Sequence, residues 1–189
     1  YDNIKFEDLV KMSEENKMSE GNIFSTENII KFTKEFTKNK GLENTPMRDL
    51  MEKYIDIDKV YNSKVEYGMV TTSIDVKNKS LEVFKEDIKK EELYEYILAS
   101  ACFPIFKPQK IGDKQYLDGG MHDNVPVNML LNKGYSNIIV IDISNGGISR
   151  RLQNKEAYIK IIKPNEDLGG AFDFDKARIK KNIKMGYLD

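Results

Sequence analysis

Asp118 stands between the apolar step Tyr116-Leu117 and the pair Gly119-Gly120, with His122 and Asp123 close behind. A carboxylate delivered by a short strand onto a Gly-Gly turn is suited to general-base work. The glycines can take φ > 0 and let a backbone or a ligand approach closely. The tripeptide alone has a second meaning, since Asp followed by glycine is also an ordinary turn. His122 completes an Asp-x-x-x-His-Asp pattern that suggests a metal site. Such a site needs three or four converging ligands, and this chain holds no second His and no partner Cys. His122 therefore reads as a lone exposed histidine near a turn. The single cysteine, Cys102, sits in Ala101-Cys102-Phe103-Pro104 and reads as a buried small hydrophobe rather than a nucleophile. Ser100 lies at the end of a helical pattern without flanking glycines and reads as small-residue packing. Phe103, Ile105 and Phe106 suit an apolar groove beside Asp118 and plain core equally well.

The elements that must position these groups follow from periodicity. Up to about residue 60 the pattern is helical. Ile4, Leu9, Val10 and Met12 form a weak apolar stripe. Ser25 caps a clearer helix whose Ile29, Phe32 and Phe36 recur at helical spacing and which Gly41 stops. Thr45-Pro46 opens a third helix, the proline standing where its missing N–H costs nothing, with Leu50, Met51 and Tyr54 as the face to bury. From Val65 the character changes. Glu66 to Asp75 and Leu81 to Lys85 are β-rich runs joined by the polar turn Lys77-Asn78-Lys79, a hairpin pattern. Glu91 to Ala101 is helical, with Leu93, Ile97 and Ala101 on one face, and Pro104 prevents its continuation. Gly112-Asp113 turns a ribbon that delivers Asp118. A helix over Asn128 to Asn132 is closed by Gly134. Asn137 to Ile143 is almost continuously apolar and β-branched, the pattern of a strand covered on both faces. Tyr158 to Ile162 is a further strand, and Asp173 to Tyr187 a closing helix with Ile179 and Ile183 inward. Helices interleaved with strands predict an α/β sheet, with Glu66–Ser73 and Asn137–Ile143 in one sheet and Asp118 near its end.

Composition sets the outer bounds. A chain of 189 residues, 40% apolar and 32% charged, is globular and long enough for one substantial core. A net charge of −1 supplies no global field for nucleic acid or anionic lipid, and the lysines are scattered along the chain, so any basic attraction is local. One cysteine excludes an internal disulfide. No run approaches the ~20 apolar residues of a membrane span. Tyr1 opens the chain without an initiator Met or a signal pattern, which suggests a start in mid-protein.

In order and spacing, Ala99-Ser100-Ala101-Cys102-Phe103-Pro104, Tyr116-Leu117-Asp118-Gly119-Gly120 and Asp123-Asn124-Val125-Pro126-Val127 resemble the second half of the patatin-like phospholipase family. So do the strand Ile138–Ile143, the upstream Val70-Thr71-Thr72, and Ile161-Ile162-Lys163-Pro164 with Phe172-Asp173-Phe174-Asp175. The likeness extends over about residues 65–189 and is softer before, where Asn22-Ile23-Phe24-Ser25 still fits. It implies a three-layer α/β/α fold, incomplete at its N-terminus, in which 1–64 is a helical segment and 65–189 carries the sheet and the aspartate.

The resemblance further implies a Ser–Asp dyad hydrolysing acyl esters of phospholipids or related lipids, with no metal or organic cofactor. Asp118 would be the base, Gly119 and Gly120 the motif turn, and Phe103, Ile105 and Phe106 acyl-chain lining. The family's serine sits in a Gly-x-Ser-x-Gly elbow, whose strained turn exposes the hydroxyl and aims backbone N–H groups at the developing oxyanion. No Gly-x-Ser-x-Gly occurs in these 189 residues, and Gly146–Ser149 follows the Asp in the wrong order. The implied partners are an acyl-lipid substrate, a peripheral membrane surface and an N-terminal segment of the same domain that bears the serine; nucleic acid is not among them. Two other classes fit the residues: a non-catalytic lipid-binding or interaction module on the same scaffold, and a metal-dependent hydrolase centred on Asp118, His122 and Asp123.

Overall fold

The computed structural model describes residues 41–75, 79–143, 148–153, 156–170 and 175–188. The stripe from Ile4 to Met12 and the helix expected after Ser25 lie outside them, as does most of the turn at 77–79. The described residues form an α/β arrangement in chain order. Helix α1 (Thr45–Tyr54) and helix α2 (Ile57–Asn62) precede a hairpin of β1 (Gly68–Ser73) and β2 (Lys79–Phe84). A 3-10 turn at Lys90–Glu92 leads into α3 (Leu93–Ser100), followed by the ribbon β3 (Gln109–Ile111) and β4 (Lys114–Asp118). Helix α4 (Val127–Asn132), β5 (Asn137–Ile141), β6 (Tyr158–Ile162) and α5 (Lys176–Leu188) complete the chain.

Pro46 begins α1 as its backbone chemistry dictates, and Met51 is buried there. Leu50 is only half-buried and Tyr54, expected inside, is exposed, because the helix ends at that residue and turns it outward. Arg48 ties α1 to α3 through Glu95 at 2.6 Å, and this ion pair raises the guanidinium's pKa. Asp56 caps α2 by accepting the Lys59 N–H at 3.1 Å, the usual role of Asp at that position. The other end of α2 is met by Lys85. The residue is 3% exposed, and its ammonium donates to the carbonyls of Val60 at 2.8 Å and Ser63 at 2.7 Å. A cation at a helix C-terminus satisfies carbonyls that have no intrahelical partner.

Four strands form one antiparallel sheet in the order β2-β1-β4-β3. Helix α3 packs on it through buried Leu93 and Ala99, and Leu98 of the same helix is also buried. Leu93 joins Met69 and Val83 in one core cluster, against which Ile97 packs half-buried; Ala99 joins Ile111 and Tyr116 in another. Complete burial of a leucine such as Leu93 contributes about 1.5–3 kcal/mol. Ala101, expected on the inner face, is exposed, since the helix stops at Ser100 and Ala101 is its C-cap.

The expectation that β1 and β5 share a sheet is overturned. Strands β5 and β6 pair in parallel with each other, apart from the four-stranded sheet. Strands β2 and β4 occupy both edges of β1, so β5 could join that sheet only at the outer edges of β2 or β3, and it pairs with β6 instead. The two-sided burial expected of Asn137–Ile143 also fails. Ile138 and Val140 pack with Val127 beneath α4, whereas Ile139 and Ile141 on the other face are 68% and 71% exposed. Among the described residues α4 covers only one side, and β5 ends at Ile141 rather than Ile143. Gly134 closes α4 with φ +96°. In α5, Ile179 and Ile183 are half-buried, and Asn182 fastens the helix to the Leu168 carbonyl at 2.8 Å.

Candidate active site

The sequence around Asp118 folds into a carboxylate mount whose backbone is held from three directions. Asp118 ends β4 opposite Thr71 of β1. Its N–H donates to the Cys102 carbonyl at 2.8 Å, and its own carbonyl accepts the Thr72 hydroxyl at 3.0 Å. Thr71 does the same for the Leu117 carbonyl at 2.7 Å. Thr71 and Thr72 are both buried, so the Val70-Thr71-Thr72 run of β1 works as a clamp on the end of β4. Buried hydroxyls satisfied in this way hold one geometry, because each would be costly to leave unpaired.

Gly119 is required for close approach to backbone rather than for positive φ, while Gly120 approaches only the end of the Asn124 side chain. Neither has a left-handed backbone; a β-carbon on Gly119 would lie 2.6 Å from the Val70 carbonyl carbon, and one on Gly120 would lie 2.7 Å from Asn124 Oδ1. The Gly120 N–H donates to Asp118 Oδ1 at 2.7 Å, which fixes the carboxylate plane. Among the described residues Asp118 Oδ2 accepts no hydrogen bond, so one carboxylate oxygen is oriented and the other is open to a partner.

Asp118 and Gly120 open onto a cavity of about 1340 Å³. Phe103, Met121, Val125 and Leu130 line it, together with the face of β5 that carries Ile139 and Ile141. Phe103 thus borders the cavity with Asp118. Ile105 and Phe106 do not line it. Their segment pairs instead with Leu42, whose N–H donates to the Ile105 carbonyl at 2.9 Å and whose carbonyl accepts the Lys107 N–H at 2.8 Å.

His122 is half-buried at the end of the Gly119–Met121 turn and donates its N–H to the Gly119 carbonyl at 2.9 Å. Among the described residues no group of three or more His, Cys, Asp and Glu is placed to hold a metal, so Asp118, His122 and Asp123 do not form one. Cys102 is buried and its thiol donates to the Lys107 carbonyl at 3.1 Å. Burial pushes that thiol's pKa up, the Asp118 carboxylate adds to the rise, and a backbone hydrogen bond at Gln109 partly offsets it. A thiol held protonated is a poor nucleophile. Ser100 sits half-buried at the last turn of α3, on no strand-to-helix elbow.

Sequence reasoning missed a strap over the Asp118 turn. Residues 148–153 run alongside it and are stitched to it repeatedly. The Ile148 N–H donates to the Gly120 carbonyl at 3.2 Å, the Ile148 carbonyl accepts the Asn124 N–H at 2.6 Å, and Asp123 Oδ1 receives the Arg150 N–H at 3.5 Å. Buried Asn128 completes it like a strand edge, donating to the Arg151 carbonyl at 3.0 Å and accepting the Gln153 N–H at 2.9 Å. The available signal was an asparagine in the otherwise apolar run Val127 to Leu131.

Residues 5–131 match the profile of the patatin-like phospholipase family, a span that contains the clamp, Asp118 and both glycines. It reaches further toward the N-terminus than the resemblance seen in the motifs and stops short of β5. No match to a curated protein was found. A profile match over most of the chain, with the Asp-Gly-Gly turn mounted beside an apolar cavity, makes this chain a member of the patatin-like phospholipase family, which are lipid acyl hydrolases.

Proposed function

We propose that Asp118 is the base of a Ser–Asp dyad in a hydrolase of phospholipid or related acyl esters. The observation that carries this reading is the pairing of an oriented Oδ1 with an open Oδ2 at the wall of a large apolar cavity. The serine would come from a Gly-x-Ser-x-Gly elbow on an N-terminal segment of the same domain. The uncovered face of β5, with Ile139 and Ile141, offers that segment an apolar seat next to Asp118.

In this scheme the serine Oγ bonds to the ester carbonyl carbon while its proton passes to Asp118 Oδ2. Backbone N–H groups of the elbow and its preceding loop stabilise the oxyanion, the larger part of such catalysis. Collapse breaks the ester C–O bond, and the protonated Asp118 gives its proton to the departing alcohol. Water then attacks the acyl-serine and gives its proton to Asp118; collapse breaks the bond from the acyl carbon to Oγ, releases the fatty acid and returns that proton from Asp118 to Oγ. Phe103, Met121 and Val125 would lie along the acyl chain.

Asp118→Asn in the intact enzyme tests the assignment. Asparagine keeps an oxygen for the Gly120 N–H but cannot take the serine proton. The expected result is a loss of about 10²–10⁴-fold in kcat with folding preserved. His122→Ala should change kcat little. Wild-type kcat in Asp118→Asn, or its loss in His122→Ala or on adding chelator, would refute the dyad.

A further inference from the structure

We propose that Asn128 is a positioning residue for Asp118, acting through the strap 148–153 and Gly120. Every residue of the strap is exposed, so hydrogen bonds rather than apolar burial give it its place. Asn128 supplies two of these bonds. It is 2% exposed, its Nδ2 donates to the Arg151 carbonyl at 3.0 Å, and its Oδ1 accepts the Gln153 N–H at 2.9 Å. A buried amide that commits both its nitrogen and its oxygen to one segment holds that segment in one register. The same strap reaches the Asp118 turn. The Ile148 N–H donates to the Gly120 carbonyl at 3.2 Å, and the Gly120 N–H donates to Asp118 Oδ1 at 2.7 Å. Gly120 is thus held by the strap on one side and holds the carboxylate with the other. A glycine has little conformational preference of its own, so the orientation it gives Asp118 depends on such outside bonds.

A second link runs beside the first. The Asp123 N–H donates to the Gly119 carbonyl at 2.9 Å, within the peptide unit that carries the Gly120 N–H, and Asp123 Oδ1 receives the Arg150 N–H at 3.5 Å. Arg150 reaches Glu82 at 3.3 Å, and Glu82 lies opposite Val70 in the β1–β2 ladder. Val70 is the residue against which Gly119 packs. Strap, turn and sheet therefore meet around one peptide. The Asp123 bond is long and the Arg150 pair partly exposed, so the link through Asn128 is the tighter of the two. Asn128 does not line the cavity, and it reaches Asp118 only by way of the strap. This role deepens the Ser–Asp reading and rests on it, since a carboxylate must be aimed only if it has a proton to take.

Steady-state hydrolysis of a soluble short-chain ester by the intact enzyme tests the link. Asn128→Ala should lower kcat about five- to tenfold, the weight of roughly one hydrogen bond, and leave KM within about two-fold. Ile148→Pro removes the N–H that holds the Gly120 carbonyl, whereas Ile148→Ala shortens the side chain and keeps it. The proline variant should have the lower kcat of the two, by about five-fold. Lys85→Met, which uncaps α2, should keep wild-type kcat and so separates positioning from loss of stability. Amide hydrogen exchange at Gly120 should be faster in Asn128→Ala than in Lys85→Met. Wild-type kcat in Asn128→Ala, a rise in KM alone, or an equal fall in Lys85→Met would overturn the proposal. Equal kcat in the two Ile148 variants would overturn it too, and that pair decides the matter if Asn128→Ala does not fold. If Asp118→Asn kept full hydrolysis while exchange at Gly120 still rose in Asn128→Ala, the dyad would fall and the strap's hold on Gly120 would stand.

Discussion

Gly119 lies against the backbone of Val70 so closely that a β-carbon on Gly119 would come within 2.6 Å of the Val70 carbonyl carbon. The end of β4 is thereby pressed onto β1, and the carboxylate of Asp118 takes its position from that contact and from the Thr71 and Thr72 hydroxyls. Gly119→Ala must push two backbones apart. We expect it to cost about 2–4 kcal/mol, the range of a backbone clash in a packed site. Gly186→Ala, where a β-carbon meets nothing, should cost nothing or gain up to about 1 kcal/mol. Urea midpoints of the two variants compare these directly, and a Gly119→Ala midpoint at or above that of Gly186→Ala contradicts the packing argument.

Lys85→Met replaces a buried ammonium by an apolar chain of similar length. The Ser63 carbonyl loses its donor and the end of α2 its cation, so stability should fall by about 1–3 kcal/mol. Lys90→Met breaks only a surface pair with Asp58 and should cost less than about 1 kcal/mol. Thermal melts that rank the two variants the other way would show that Lys85 does not cap α2.

Asn128→Ala removes both side-chain bonds that hold the strap at Arg151 and Gln153. Local opening of 148–153 should become easier by about 1–3 kcal/mol, the net contribution of two hydrogen bonds to exposed backbone. Trypsin cleaves after arginine, so cutting at Arg150 and Arg151 should accelerate by at least about five-fold, the lower end of what that free energy allows. Unchanged cleavage rates would mean that the strap is held elsewhere.

Cys102 should resist alkylation in the native protein and react at once in denaturant. Its buried thiol has a raised pKa, so the folded state keeps its proton where the unfolded state loses it. The stability contribution is complete below the unfolded thiol's pKa of about 8.5 and is lost as pH rises through the folded value. Cys102→Ala should therefore show a shallower fall in stability above that pH. Rapid iodoacetamide labelling at pH 7 without unfolding would count against this burial.

These 189 residues on their own should not turn over a chromogenic short-chain ester, because the acyl-enzyme route needs a nucleophile on an elbow. Steady turnover above a buffer blank, abolished by Ser100→Ala, would identify Ser100 as the nucleophile and remove the need for an N-terminal serine.

Local chemistry made much of this protein legible in sequence. Thr45-Pro46 announces α1, Gly112-Asp113 the ribbon, Gly134 the end of α4, and the β-branched runs each strand, because capping, turn geometry and side-chain alternation act over a few residues. The Asp-Gly-Gly turn and its family could be named for the same reason. Tertiary structure alone decided which strands pair. Hydrogen-bonding edges are shared among distant segments, so nothing within Asn137–Ile143 says that β1 has both edges filled or that one apolar face stays open. It decided that Gly119 is needed for contact with Val70 rather than for an unusual φ, and that Phe103 borders the cavity while the backbone at Ile105 and Phe106 pairs with Leu42. It also showed why Asn128 interrupts an apolar run: its amide serves a strap some 25 residues away, a distance that no periodicity records.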